Sequence, residues 1–266
     1  MGVTEASAVR LTASNIHLDF TVYSLRAQSI RTAVVNAAVG GRLLKDRSDQ
    51  VTVRALKDVS FELREGDRLG IMGHNGSGKT TLLKVLAGIY EPTHGRVQAH
   101  GTVSSLIDIG HGLDTESNAI DNIRVLGAMR LIPIRRMNSL IPEILDFADL
   151  GPYAYLPLKT YSAGMQLRLL FAVATSFYPD ILILDEWLGA GDAGFVAKAS
   201  MRMRQVVDAA KIIVLASHST DLIRNNCNKL LVLDHGSVSY LGEVEPWFAA
   251  PAPAPQTAEP QAAAVA

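Results

Sequence analysis

One stretch of the chain has the residue types and the spacing of a phosphate-binding loop. Residues 73–80 match the pattern G-x-x-x-x-G-K-[ST]. The matching residues are Gly73, His74, Asn75, Gly76, Ser77, Gly78, Lys79 and Thr80, and Thr81 follows them. In such a loop, backbone N–H groups surround phosphate oxygens, the Lys79 ammonium reaches the β- and γ-phosphates, and the Thr80 hydroxyl ligates Mg²⁺. The sequence therefore predicts a nucleotide-binding site.

Three further side chains follow two apolar runs that are typical of buried parallel strands, 181–184 and 212–216. Asp185 is predicted to be the second metal ligand, and strand-end capping is the alternative. Glu186 is predicted to orient the water that attacks the γ-phosphate or to take its proton, and a solvated carboxylate is the alternative. His218 is expected at the same edge of the sheet, although a lone histidine is more often structural.

The elements that must position these groups alternate between strands and helices. The predicted strands span 15–20, 57–63, 68–72, 96–99, 103–107, 181–184, 212–216, 230–234 and 237–241. The predicted helices span 26–39, 81–87, 122–129, 137–147, 167–176 and 198–209. Because buried strands alternate with helices, we expect an α/β fold with a mainly parallel sheet.

Composition narrows the class of protein. The formal net charge of -1 over 266 residues shows no basic excess, so we expect no nucleic-acid partner. Cys227 is the single cysteine, which excludes a disulfide framework and favours a cytosolic location. Residues 1–12 lack the pattern of a signal peptide, and no apolar run approaches the roughly 18 to 20 residues of a membrane span. Membrane contact is therefore expected only through a partner.

A second motif lies about twenty residues before Asp185. The run Tyr161-Ser162-Ala163-Gly164-Met165-Gln166 resembles the signature motif of ABC-transporter ATPases, usually Leu-Ser-Gly-Gly-Gln. With the leading Tyr, the inserted Met and the following Arg-Leu, it resembles the ATP-binding subunits of bacterial polysaccharide exporters, such as those for O-antigen and capsule. The stretches 109–113, 121–123 and 185–195, and the long segment between Phe20 and Val53, are similar to that branch, and the resemblance covers 15–242.

The resemblance implies a fold and two ligands. The fold is a P-loop NTPase of the ABC ATPase type, with a mainly parallel core sheet, an antiparallel β subdomain and an inserted α-helical subdomain at about 112–178. The ATPase domain is expected to span 1–248, and the Ala/Pro-rich tail 249–266 is expected to be disordered. ATP and Mg²⁺ are the implied cofactors.

The resemblance also implies a homodimer in which each ATP lies between two subunits. ATP on the loop of one subunit would contact Ser162 and Gly164 of the other, and Asp192 would lie at the dimer seam. His218 would contact the γ-phosphate. Tyr23 and Phe20 are both candidates to stack on adenine, and core packing is an equally good interpretation of Phe20.

One departure from the family concerns the loop after the phosphate motif. ABC ATPases usually carry a glutamine there that contacts Mg²⁺, yet no glutamine occurs between Gly101 and Asp121. Asp114 lies in that neighbourhood and is a candidate replacement.

The function implied is ATP hydrolysis that energises export of a polysaccharide or lipid-linked glycan across the inner membrane. Two copies of the subunit would act from the cytoplasmic face, as peripheral proteins, on two copies of a separate permease. The main alternative is an ABC subunit that exports another substrate, such as a teichoic-acid-like polymer, a lipid or a drug. A soluble ABC ATPase without a transport role is a further alternative.

Overall fold

The structure is a computed structural model that describes residues 8–22, 43–45, 51–107, 112–186 and 193–249. Its strands are β1 Arg10–Val22, β2 Leu43–Lys45, β3 Val51–Arg64, β4 Arg68–Met72, β5 His94–His100, β6 Val103–Ser105, β7 Ile181–Asp185, β8 Ile212–Ala216, β9 Lys229–Asp234 and β10 Ser237–Glu243. Its α-helices are α1 Lys79–Leu86, α2 Ala119–Met129, α3 Ile134–Ala148, α4 Ala163–Ala174, α5 Ala193–Ala209, α6 Thr220–Asn226 and α7 Val244–Ala249. Short 3₁₀ turns lie at Gly151–Tyr155 and Leu158–Thr160.

The core sheet has the strand order β10-β9-β4-β8-β7-β6. Its pairs are parallel from β9 through β4, β8 and β7 to β6, and only β10 runs antiparallel, against β9. Every residue of β8 and the first four of β7 are buried, as expected for strands covered on both faces. The predicted mainly parallel sheet is confirmed. The parallel register places the carboxyl ends of β4, β7 and β8 at one edge.

A second, antiparallel sheet has the order β2-β3-β1-β5. β1 is much longer than the predicted 15–20, because it pairs with β3 along its whole length and with β5 over its first half. Its inward residues, among them Leu11 and Ile16, pack in one core cluster with Leu69 of β4 and Leu82 of α1. This sheet therefore covers the face of the core sheet on which α1 packs.

The helices α2, α3 and α4 pack together around a second core that includes Ile123, Ile144 and Leu169. Asn118 and Ser162 cap α2 and α4, since their side chains accept hydrogen bonds from the N–H groups of Asp121 and Met165 at 3.0 and 3.2 Å. This helical group is the inserted helical subdomain that the predicted fold class contains. Its predicted limits, 112–178, remain a prediction.

Several predictions fall on residues beyond the described ranges. The helix expected at 26–39 lies outside them, as does the tail from 250 onward, whereas Ala249 ends α7. Within the described ranges, we find no helix that combines the length and the apolar character needed to cross a membrane.

Candidate nucleotide-binding site

The loop between β4 and α1 depends on glycine at two positions. Gly73 has φ +152° and Gly78 has φ +110°, both in the left-handed region that side chains disfavour. A Cβ on Gly73 would lie 2.4 Å from the carbonyl oxygen of Leu233, and one on Gly78 would lie 3.1 Å from that of Ala55. The backbone therefore lies close to its neighbours at both positions, and glycine lets the loop take this path between β4 and α1.

Lys79 begins α1 and lies across the mouth of the loop. Its ammonium donates hydrogen bonds to the carbonyl oxygens of Gly73 at 2.8 Å and His74 at 3.1 Å. Burial lowers the pKa of Lys79, while the carboxylates of Asp185 and Glu186 oppose that shift. The loop thus holds a partly desolvated cation, whose attraction for phosphate oxygens is stronger than it would be in bulk water.

The hydroxyl of Thr80 and the carboxylate of Asp185 meet at the carboxyl end of β7. Thr80 Oγ1 donates a hydrogen bond to Asp185 Oδ2 at 2.8 Å, although 105 positions separate the two residues. Hydroxyl and carboxylate oxygens are hard donors of the kind that Mg²⁺ prefers. The donor set therefore fits the ion that the sequence predicts.

Glu186 and His218 reach the same edge from neighbouring strands. Glu186 has φ +61°, and its N–H donates to the carbonyl oxygen of Ala216 at 2.9 Å, so the chain turns sharply at the end of β7. Such a left-handed conformation is uncommon for glutamate and occurs where a site constrains the backbone. Both side chains are exposed and available to a substrate.

These groups line one cleft of about 640 Å³. The predicted site residues that line it are Asn75, Gly76, Gly78, Lys79, Thr80, Thr81, Asp185, Glu186 and His218. Ala55, Ala216 and Ser217 also line it and were not predicted. Ser217 directly precedes His218 at the end of β8, which is a usable signal, whereas Ala55 comes from the antiparallel sheet and carries no local signal.

Other predicted residues lie elsewhere or outside the described ranges. Ser162 and Gly164 are exposed at the start of α4 and do not line the cleft. The ring of Phe20 packs edge-on against Tyr90, with ring centroids 5.6 Å apart, and does not line it either. Tyr23 and Asp192 lie outside the described residues.

Asp114 is engaged in its own turn. Its carboxylate accepts hydrogen bonds from Ser117 Oγ at 2.6 Å and from the N–H of Glu116 at 3.0 Å, and these bonds lower its pKa. Asp114 does not line the cleft. Its oxygens therefore stabilise the segment that leads into α2.

Comparison with known proteins identifies the family. The sequence profile described as "ABC transporter" matches residues 56–189. Over 224 residues the chain is 42% identical to the O-antigen export system ATP-binding protein RfbE of Yersinia enterocolitica, covering 84% of this chain and 94% of that relative. This chain belongs to the ABC transporter family. The ABC ATPase binds ATP and hydrolyses it, which confirms the predicted family, nucleotide and activity.

Longer relatives and solved structures extend the comparison. The ABC ATPase is 41% identical over 191 residues to the teichoic acids export ATP-binding protein TagH of Bacillus anthracis, covering 72% of this chain but 35% of that relative. A dimeric ATP-binding cassette in a post-hydrolysis state with ADP and Pi is similar in structure, with a TM-score of 0.60 and 18% identity. That similarity covers 88% of the ABC ATPase and 98% of the cassette. The structural likeness confirms the predicted fold class.

Proposed function

We propose that this ABC ATPase energises the export of a polysaccharide or lipid-linked glycan across the inner membrane through a separate permease. The observation that carries the proposal is the cleft in which Lys79, the Thr80–Asp185 pair and Glu186 converge. The glycan cargo is supported by the similarity to the O-antigen export protein, which the chain matches over 94% of its length. The subunit would act as a peripheral protein at the cytoplasmic face.

Each side chain of the cleft has a proposed role in hydrolysis. The backbone N–H groups of residues 73–81 and the ammonium of Lys79 bind the phosphates, and Thr80 and Asp185 would hold Mg²⁺, which neutralises charge on the β- and γ-phosphates. Glu186 takes a proton from the attacking water or orients it. His218 donates a hydrogen bond to the γ-phosphate from the end of the neighbouring strand.

A second copy of the chain is proposed to complete each site. Ser162 and Gly164 are exposed at the N-terminus of α4, and a Cβ on Gly164 would meet nothing closer than Ser162 Oγ at 3.8 Å. A helix N-terminus favours the negative charge of a phosphate. A head-to-tail homodimer would place this open surface against ATP on the loop of the partner. Asp192 at the seam, and Tyr23 or Phe20 against adenine, belong to the same proposal.

An apolar surface away from the cleft supports a permease partner. Ile89, Val103, Met129 and Leu131 line one groove between the end of α1, β6 and α2, and we name them the Leu131 patch. Leu131 is 91% exposed and has φ +58°, an uncommon conformation that holds the leucine in solvent. Exposed apolar side chains grouped in this way mark a protein interaction site. We assign the patch to the permease contact.

A teichoic-acid-like polymer is the second candidate cargo. The observation that favours it is the 41% identity to the teichoic acids export protein of Bacillus anthracis. The chain spans about a third of that relative's length, whereas it spans nearly all of the O-antigen relative. The glycan of the O-antigen type is therefore the better supported cargo.

Replacing Glu186 with Gln tests the proposed role of Glu186 in ATP hydrolysis. Glu186→Gln removes the proton acceptor, so hydrolysis should fall about 10²- to 10⁴-fold while ATP binding persists. The retained ATP should also hold two subunits together, which light scattering after gel filtration measures. Glu65→Gln is the matched control, because Glu65 is exposed in the turn before β4, at the opposite edge of the sheet. Hydrolysis by Glu186→Gln at the parental rate would refute the assignment.

Surface display of the glycan tests the proposed role of the subunit in export. Cells that lack the subunit should accumulate the polymer inside, and the wild-type subunit or Glu65→Gln should restore its display. Glu186→Gln should not restore it. Unchanged display in cells that lack the subunit would remove the exporter role and leave the ATPase assignment intact.

A further inference from the structure

Three exposed side chains outside the nucleotide cleft converge beside the phosphate loop. They are His74 of the loop and Asp234 and His235 of the turn between β9 and β10. One possible ligand atom from each lies within 4.8 Å of the other two, and this is the one three-ligand group among the described residues. We name these residues the His74 cluster. Thr80 and Asp185 belong to the separate Mg²⁺ position.

The hydrogen bonds of His74 orient one ring nitrogen toward Asp234. His74 Nδ1 lies 2.7 Å from the carbonyl oxygen of Asn75, and because that oxygen can only accept, Nδ1 carries the hydrogen. Nε2 then faces Asp234 Oδ1 at 3.2 Å. Two acceptors at this distance need a cation or a second proton between them. Metal-binding histidines characteristically donate their other ring N–H to a carbonyl or carboxylate, as His74 does.

The spacing of the cluster suits a tetrahedral transition metal. His235 Nε2 lies 3.8 Å from Asp234 Oδ1, and the rings of His74 and His235 are 4.7 Å apart. Ligands about 2.0–2.1 Å from tetrahedral zinc lie about 3.3 Å from each other, so small side-chain rotations bring all three atoms into range. Two imidazoles with one carboxylate are a donor set that Zn²⁺ accepts, whereas Mg²⁺ prefers oxygen ligands.

The backbone already holds the two halves of the cluster together. The N–H of Gly236 donates to the carbonyl oxygen of Ser77 at 2.8 Å, and the N–H of Lys57 donates to the carbonyl oxygen of Gly236 at 2.8 Å. His235 itself has φ +46°, an uncommon conformation for a histidine. The turn therefore presents Asp234 and His235 to the loop in a fixed position, which lowers the entropy cost of binding an ion.

We propose that His74, Asp234 and His235 form a Zn²⁺ site that links the phosphate loop to the turn between β9 and β10. Water fills the remaining coordination. The carbonyl oxygen of His74 accepts a hydrogen bond from Lys79, so an ion on this cluster acts on the loop from outside the nucleotide cleft. The site makes the stability of the loop depend on zinc.

Titration of the purified full chain with Zn²⁺ against a chromogenic chelator, in excess Mg²⁺, tests the proposal. We expect one equivalent per chain with a micromolar or tighter Kd, visible absorption bands of tetrahedral geometry with Co²⁺, and a rise in Tm with zinc. His235→Asn and Asp234→Asn should each weaken binding at least about tenfold. Asparagine tolerates the left-handed conformation of residue 235, and Asp234→Asn decides the result if His235→Asn fails to fold.

Two histidine variants are the controls. His17 and His94 also face each other, with ring centroids 6.1 Å apart, but they belong to no three-ligand group among the described residues. His94→Asn should therefore bind zinc as the wild type does, and so should His218→Asn. Wild-type affinity in both His235→Asn and Asp234→Asn would overturn the proposal. Loss of zinc binding in His218→Asn, or no equimolar binding by the wild type, would also overturn it.

Discussion

At the scale of single residues, two glycines of the phosphate loop differ in what surrounds them. Both Gly73 and Gly76 have positive φ, at +152° and +78°. A Cβ on Gly73 would collide with the carbonyl oxygen of Leu233 and with Ser77, whereas a Cβ on Gly76 would meet nothing within 4 Å. Substitutions at these two glycines can therefore distinguish the cost of a steric collision from the cost of a positive φ.

We expect Gly73→Ala to weaken ATP binding much more than Gly76→Ala. The backbone shift that relieves the collision should cost about 1–3 kcal/mol. If that shift distorts the loop, the affinity for ATP falls roughly 5- to 150-fold. Gly76→Ala pays only the smaller cost of its backbone conformation. Titration with a fluorescent ATP analogue measures both variants. Equal affinities would mean that the close approach to Leu233 does not shape the loop.

Cys227 gives a prediction about pH. Burial raises the pKa of its thiol to about 12. In the unfolded chain the thiol ionises near its ordinary pKa of 9.0, so between these values the unfolded state binds fewer protons and stability falls as pH rises. From pH 8 to 10.5 the free energy of unfolding should fall more in the wild type than in Cys227→Ala, by on the order of 2 kcal/mol. Urea denaturation of both proteins at both pH values measures these free energies. An equal fall in the wild type and in Cys227→Ala would contradict the prediction.

At the scale of secondary-structure elements, two helices begin with the same kind of cap. Ser162 caps α4 and Asn118 caps α2, each through a hydrogen bond from the N–H three residues later. Each cap should contribute about 1 kcal/mol to stability. Only α4 is proposed to meet the nucleotide of a second subunit.

Alanine at the two caps should therefore separate stability from catalysis. Ser162→Ala and Asn118→Ala should lower the free energy of unfolding by similar amounts, about 1 kcal/mol each. Hydrolysis should fall steeply only in Ser162→Ala, because its hydroxyl also contacts the γ-phosphate of the partner in the proposed dimer. Urea denaturation and steady-state hydrolysis are the two measurements. An equal loss of hydrolysis in both variants would assign Ser162 to folding alone.

Local sequence predicted the bounds of the buried parallel strands better than those of the long antiparallel strands. β8 has the bounds predicted, and β7 extends its prediction by Asp185 alone, because buried parallel strands are continuous apolar runs. β1 and β3 were predicted too short, since their length depends on partners distant in the chain. Helix α5 begins at Ala193 instead of 198, a boundary that composition does not mark.

The same distinction applies to the site. It could be predicted that the loop, Asp185, Glu186 and His218 lie close together in one cleft, because a motif or the end of a buried strand marks each of them. The His74 cluster could not, since 160 positions separate His74 from Asp234 and no motif joins them. Ala55 likewise reaches the cleft only through the packing of one sheet on the other.

At the scale of the whole molecule, the nucleotide cleft and the Leu131 patch are different surfaces. The cleft is lined mainly by polar and charged groups, whereas exposed apolar side chains contribute to the lining of the patch groove. A transporter subunit needs both, since hydrolysis at one surface must act on a partner at another. The two can therefore be tested independently.

We expect Leu131→Glu to uncouple export from hydrolysis. A charge on the patch would be desolvated against an apolar partner, so surface display of the glycan should fall while hydrolysis by the isolated subunit stays at the parental rate. Met201→Glu is the control, because Met201 is 67% exposed on α5. Display assays in complemented cells and hydrolysis by the purified variants are the measurements. Full display with Leu131→Glu would place the permease contact elsewhere.

The hydrogen bonds of Lys79 bear on how the free energy of ATP binding is used. The ammonium is held by the carbonyl oxygens of its own loop, and Thr80 is held by Asp185, so the binding loop is ordered in advance. Ordering a flexible loop would consume part of the affinity for ATP. In the proposed dimer that part would remain available to draw the two subunits together. The order of the loop before binding would thus set how much of the free energy of ATP binding goes into closing that dimer.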